Sequence, residues 1–145
     1  MARFVFRLEP VLKCRAAREE LSVQALACAQ RIKKEHEETL KLAAEEYLGS
    51  FESSGETLFE LQQWAVYRDL LRKRVKLTAQ QLSEAVEKLE RCRAALISAR
   101  RDRLTVEKIK ERRYATFLEE EGSKEQRDYD ELSLLAFQSR GRLKS

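Results

Sequence analysis

From Thr57 to Phe117 the chain holds one spacing, alternately four and three residues. The positions are Thr57, Leu61, Trp64, Arg68, Leu71, Val75, Thr78, Leu82, Ala85, Leu89, Cys92, Leu96, Ala99, Arg103, Val106, Lys110, Arg113 and Phe117. This heptad seam lasts about nine heptads, with no Pro or Gly inside it. At its centre Leu82, Leu89 and Leu96 alternate with Ala85, Cys92 and Ala99. Large residues alternating with small ones let a second helix approach closely, knobs into holes. A repeat of about 3.5 residues kept this long imposes a left-handed supercoil, because a straight helix would drift off the seam. Such a segment folds only against a partner helix.

Composition agrees with long helices and not with a compact domain. Of 145 residues, 37% are charged and 43% apolar, with four Gly and one Pro, a balance typical of coiled coils. No apolar run approaches the length of a membrane span, and residues 1–12 lack a signal-peptide core, so a cytosolic protein is expected. Cys14, Cys28 and Cys92 form no C-x-x-C and share the chain with a single His. That inventory suits small packing residues in a reducing compartment better than a metal site.

Taken in order, Phe4, Phe6 and Leu8 alternate with other residues before Pro10, which is tolerated in a first helical turn. A first helix is expected over about 9–48 after a short apolar arm. Leu12, Glu19, Leu26, Lys33, Leu40 and Tyr47 recur every seven residues, with Ala16, Val23, Ala44 and Phe51 as companions four residues on. Polar Glu19, Gln30, Lys33 and Glu37 interrupt this seam, as register-setting layers do. A second row, Leu21, Ala25, Cys28 and Ile32, lies on roughly the opposite face. It reads either as incidental to an Ala-rich helix or as a docking face. Gly49 suits a left-handed helix end, and Ser53 with Glu56 suits a capping box. The expected turn is 49–53 and the second helix 54–138, with a frayed tail over 139–145. A connection this short makes the helices antiparallel neighbours. The fold class is all-α, a long antiparallel two-helix coiled coil (a helical hairpin) in a single domain, with an overhanging C-terminal helix.

Centred near residue 53, such a hairpin sets position i opposite roughly 106 minus i. Residues 35–60 hold eight acidic side chains and one Lys, and residues 64–76 hold five basic side chains and one Asp, so Glu35, Glu37 and Glu38 are expected to face Arg68 to Lys73. At the other end Arg3, Arg7, Lys13, Arg15 and Arg18 are expected beside Arg91, Arg93, Arg100, Arg101 and Arg103. Like charges repel there, which points to an acidic partner. The first helix covers the second only to about residue 102 in this register, leaving Val106, Tyr114, Phe117, Leu118, Tyr129, Leu132, Leu134, Leu135 and Phe137 on an overhang. Gly122, Ser123 and Gln126 offer a site where that overhang could kink or restart.

No catalytic constellation is present: no phosphate loop, no dinucleotide fingerprint, no H-E-x-x-H, and His36 as the lone imidazole. An enzyme is not expected, nor a cofactor. Residues 91–113 carry nine basic and three acidic side chains, which could track phosphates. The interleaved acids, the net charge of only +4 and the seven acids against two bases over 119–131 argue against nucleic acid.

The chain resembles the FliJ family of the bacterial flagellar type III export apparatus, which has counterparts in injectisomes. The residues that carry the likeness are Phe4-x-Phe6-x-Leu8-x-x-Val11-Leu12-x-x-Arg15, Glu45-Glu46-Tyr47, Trp64 with Tyr67, and the closing Glu125-Gln126-Arg127-x-x-Asp130-Glu131. The resemblance implies a stalk like the central gamma subunit of rotary ATPases. It implies as partners an export ATPase hexamer, the cytoplasmic domain of the export gate and export chaperones. It also implies a place in the cytoplasm at the flagellar base, reaching the membrane only through partners, as a monomer. A generic coiled-coil adaptor or an injectisome stalk homologue is the competing reading.

Two surfaces follow. Tyr67, Leu70, Arg74 and Leu77 form a stripe displaced from the seam, and exposed apolar residues at such spacing read as a docking face. By resemblance its partner is the export gate, with Leu40 and Tyr47 contributing from the first helix. At the open end, Phe4, Phe6, Leu8, Arg15, Arg101, Arg103, Tyr114, Phe117, Leu118 and Leu132 combine cationic and apolar groups, and the resemblance makes them an ATPase-binding set. The architecture itself predicts a far-UV spectrum more than about 80% helical and a small-angle scattering profile of an elongated particle. A compact, spherical profile contradicts it.

Overall fold

A computed structural model describes residues 2–53 and 55–144. Two helices, α1 (Glu9–Gly49) and α2 (Leu58–Leu143), pack against each other as a helical hairpin, with no strand among the described residues. By contacts the chain divides into two compact units, Ala17–Arg100 and Met1–Ala16 with Arg101–Ser145. Each unit contains a stretch of both helices.

In the unit 17–100, the α2 seam is buried as its spacing requires. Leu71, Thr78, Ala85, Leu89 and Ala99 are buried, and Trp64, Arg68, Val75, Leu82, Cys92 and Leu96 half-buried. Leu61 lies outside this run, exposed near the turn. Thr78 is satisfied within its own helix, its Oγ1 lying 3.0 Å from the Arg74 carbonyl and 2.9 Å from that of Val75.

On α1 the sevenfold series Glu19, Leu26, Lys33, Leu40 and Tyr47 does face α2, each half-buried. Its companions differ from expectation. Val23 and Phe51 are exposed and Ala44 only half-buried, while Ser22, Ala29, His36, Ala43 and Ser50 turn inward, with Ala29, Ala43 and Ser50 fully buried. The companion therefore follows each series member by three residues and not by four. Both choices neighbour the series member on the helix surface, one on either side of it, and apolar content favoured the wrong one. Close approach to a leucine-rich seam selects small residues instead.

The turn also moves. Ser50 ends α1: its N–H donates to the Glu46 carbonyl (3.0 Å) and its Oγ to the Tyr47 carbonyl (2.6 Å). Gly49 is the last helical residue, and no positive φ occurs among the described residues, so no left-handed glycine closes the helix. Ser54 lies outside the described residues, and Gly55, Glu56 and Thr57 are not helical. Thr57, not Ser53, caps α2. The Glu60 N–H donates to Thr57 Oγ1 (3.2 Å), while Glu60 Oε2 accepts from the Glu56 N–H (2.9 Å). This is a variant of the capping box on Thr57-x-x-Glu60, its return bond reaching the N–H of Glu56, one residue before the cap. A Cβ at Gly55 would run into the Glu60 side chain, so glycine there makes room for that carboxylate. Arg68 then locks the turn. Its Nε and Nη2 donate to the Ser50 carbonyl at 3.1 and 3.0 Å, and Nη2 also to that of Ser53 at 2.8 Å. Its guanidinium stacks 4.9 Å from the Phe51 ring centre.

The longer turn shifts the register. Ser50 meets Arg68, Glu46 meets Arg74 and Glu19 meets Arg100, so partner numbers sum to about 118 and not 106. Glu35, Glu37 and Glu38 consequently lie nowhere near Arg68 to Lys73. Arg72 and Lys73 pair with Asp69 on their own helix, at 2.6 and 3.2 Å.

In the other unit the same register brings Glu9 to Lys110 (2.8 Å) and Arg15 Nη1 to the Asp102 carbonyl (2.9 Å). α2 continues helically through Gly122 and past residue 138 to Leu143. Arg140 and Arg142 in its last turn complement the helix dipole, which supports an end that composition alone marks for fraying.

Leu89 is 2% exposed at the centre of the seam. Leu89→Ala should lower stability by about 2–4 kcal/mol in chemical denaturation, with helicity kept below the transition. A loss under about 1 kcal/mol would mean that the seam is not closed there.

Candidate functional site

The N-terminal arm is extended, so alternate side chains point the same way. Phe4, Phe6 and Leu8 turn onto α2, while Val5 is 75% exposed. Phe6 is buried, with Lys110 Nζ 6.0 Å and the Arg113 guanidinium 5.8 Å from its ring centre. Phe4 meets Tyr114 edge-on at 5.2 Å and Phe117 at 5.5 Å. Such aromatic contacts add about 0.5–1.5 kcal/mol each beyond the area they bury. The arm therefore does not hang free. α1 covers α2 as far as Lys110, where Glu9 pairs with it, and the arm carries the cover on to Phe117.

Of the residues expected to bind the ATPase, Phe4, Tyr114 and Phe117 come together as one aromatic cluster within the chain, while Phe6 is buried beside Lys110 and Arg113 and Leu8 is half-buried. Arg15 is spent on the Asp102 carbonyl, and Arg103 on Glu107 at 2.6 Å. Arg101 is exposed. Leu118 and Leu132 lie apart from the cluster, 51% and 62% exposed. The repulsion expected between basic residues at this end is answered in part by local partners. Lys110 pairs with Glu9 here. In the unit 17–100, Arg100 pairs with Glu19 and Arg93 with Glu90, at 3.3 and 2.6 Å.

From Leu118 to Leu143 nothing among the described residues covers α2. Tyr129, within the acidic run 119–131, and Leu132, Leu134, Leu135, Phe137 and Leu143 after it are all well exposed. This is the largest uncovered apolar stretch of the unit. An apolar helix face of this extent marks an interaction surface.

In the unit 17–100 the second candidate lies beside the turn. Tyr67, Leu70 and Leu77 are exposed, and Arg74 is held by Glu46 at 3.4 Å. Leu40 and Tyr47 are instead half-buried seam residues, with Tyr47 edge-on to Phe51 at 5.1 Å. They support the surface more than they form it. Sequence reading missed Phe59 and Val66. Both are exposed and line a shallow apolar groove with Tyr67 and Leu70. Their signal was available, since 59, 66, 70 and 77 fall at helical spacing outside the seam. At the rim, Lys73, hydrogen-bonded to the carboxylate, and Arg72 hold the Asp69 carboxyl below its usual pKa, which keeps this edge ionised and zwitterionic. The row Leu21, Ala25, Cys28 and Ile32 is exposed except for a half-buried Ile32.

The described residues contain no group of three His, Cys, Asp or Glu able to hold a metal, and no helix among them is long and apolar enough to cross a membrane. The three cysteines are free. What the chain offers is two helix-borne apolar surfaces.

The fold is similar to that of CT670 from Chlamydia trachomatis, a protein described as a YscO homologue. The likeness has a TM-score of 0.61 at 20% identity, covering 98% of this chain and 99% of that one. No curated protein sequence matches. The family model described as flagellar FliJ protein matches residues 4–142, nearly the whole chain and both surfaces, and the chain belongs to the FliJ family of flagellar export components.

Proposed function

We propose that this protein is a non-enzymatic stalk or adaptor of the type III export apparatus. It acts in the cytoplasm at the flagellar base, joining the export ATPase hexamer to the cytoplasmic domain of the export gate and to export chaperones. The observation that carries this reading is the pair of uncovered apolar faces on one helical hairpin. A chain whose seam is already filled has no structural need for Leu70 and Leu77 in water, or for Leu118 and Leu132.

The ATPase is assigned to the end bearing Arg101, Tyr114, Leu118 and Leu132. Phe4, packed on Tyr114 and Phe117, and the buried Phe6 brace that stretch of α2, so helix orientation is fixed before docking and less ordering entropy opposes it. Exposed Arg3, Arg7, Arg18 and Arg101 would steer association with an acidic surface, an effect on the on-rate that salt weakens. The gate is assigned to the groove of Phe59, Val66, Tyr67 and Leu70, continued by Leu77. A generic adaptor, or an injectisome stalk homologue, differs from this reading only in its partners.

Binding to the two purified partners separates the faces. Leu70→Ala with Leu77→Ala should weaken gate binding by about tenfold or more while ATPase binding and thermal stability stay as in the parent. Leu118→Ala with Leu132→Ala should do the reverse. If both double variants bind both partners like the parent, the stalk assignment is wrong for this protein.

A further inference from the structure

Beyond Phe117 the α2 seam that faces α1 and the arm gives way to a second one on nearly the opposite side of the helix. Its large members are Leu118, Tyr129, Leu132 and Leu143, at 51%, 68%, 62% and 87% exposure. Gly122, Ala136 and Ser139 fall between them at the same alternation of three and four, with Glu125 the one charged layer. Gly122 meets nothing within 4 Å of where its Cβ would lie. A glycine inside an exposed helix is destabilising relative to alanine, and nothing among the described residues packs there to compensate. A second helix crossing there would.

We infer that this face binds a second copy of the same chain, antiparallel, through α2 residues 118–143. Charge selects both the occupant and the direction. The segment opens with Glu119, Glu120 and Glu121 and closes with Arg140 and Arg142. A parallel pair would set the glutamates of one copy beside those of the other. An antiparallel pair sets acids against bases, and does so in the register that the seam itself requires. With Leu118 of one copy opposite Leu143 of the other, Gly122 lies opposite Ser139, Glu125 opposite Ala136, and Tyr129 opposite Leu132. Every large residue thus has a layer partner, in the mixed packing of antiparallel coils. In that register the flanking positions pair Glu119 with Arg140 and Glu121 with Arg142, and two-fold symmetry makes each pair twice. Among the described residues of a single chain, Glu121 pairs with Lys124, at 3.4 Å.

The overlap is under about four heptads, so association should be weak, with Kd on the order of micromolar. The dimer stands independently of the export reading. Its consequence for export rests on that reading: Leu118 and Leu132 cannot serve a second copy and an ATPase ring at once, so self-association would compete with docking.

Sedimentation velocity of the full chain under reducing conditions tests the pairing. The parent should pass from monomer to dimer as concentration rises. Glu119→Arg with Glu121→Arg, and separately Arg140→Glu with Arg142→Glu, should each weaken self-association by about tenfold or more without loss of helicity. Mixing the two variants should restore a dimer containing one of each. Leu132→Asp should leave a folded monomer. A parent that stays monomeric up to its solubility limit overturns the inference. So does a dimer that survives Leu132→Asp, or charge variants that associate alone as well as the parent does.

Discussion

The fold depends on how closely α1 can approach α2. Ala29, Ala43 and Ser50 on α1 are buried against a seam whose large members include Leu71, Leu82, Leu89 and Leu96. Small residues on one helix let leucines of the other sit between them, and burying each leucine stabilises the pair by about 1.5–3 kcal/mol. Because the stripe is narrow, every position on it must be in register. A shift of even one layer would put Lys33 and Glu19 where alanine and serine now lie. Exposed ion pairs such as Glu46–Arg74 contribute at most about 1 kcal/mol each. They follow the register that packing sets. Glu19 is the exception that helps to choose it, since its side chain is 14% exposed and meets Arg100.

How much of this the sequence discloses depends on where information is redundant. The α2 seam is legible from Trp64 to Phe117 because sixteen consecutive layers repeat one spacing. The α1 series from Leu12 to Tyr47 is legible for the same reason. Its companions are not, because Ser22, His36 and Ser50 carry no apolar signal and Val23 and Phe51 carry a false one. The turn is misread because Ser53-x-x-Glu56 and Thr57-x-x-Glu60 are equally good capping boxes on paper. Only the second lets Arg68 reach the Ser50 and Ser53 carbonyls. That choice displaces every pairing downstream of it, which is why the expected contacts of Glu35 to Glu38 and the expected length of the overhang both fail.

The functional surfaces divide in the same way. Tyr67, Leu70 and Leu77 are where the periodicity puts them, outside the seam and in water. Phe4 and Phe6 look like free anchors in the sequence, since nothing local says what covers them. In the folded chain Phe4 packs on Tyr114 and Phe117, and Phe6 is buried beside Lys110 and Arg113. The arm therefore moves the boundary between filled and unfilled α2 to Leu118, and the side chains beyond that point stay exposed, as does the stripe beside the turn.

The register can be read directly through Cys92. Partner numbers that sum to about 118 place Leu26 across from Cys92, whereas the register of the shorter turn would place Cys14 there. In a chain with Cys14→Ala, Cys28→Ala and Leu26→Cys, mild oxidation should form an intramolecular disulfide with Cys92 in high yield and without loss of helicity. The parent chain should form none between Cys14 and Cys92. An efficient Cys14–Cys92 bond in the parent, with no bond between positions 26 and 92 in the variant, would contradict the packing of α1 on α2 and everything built on it.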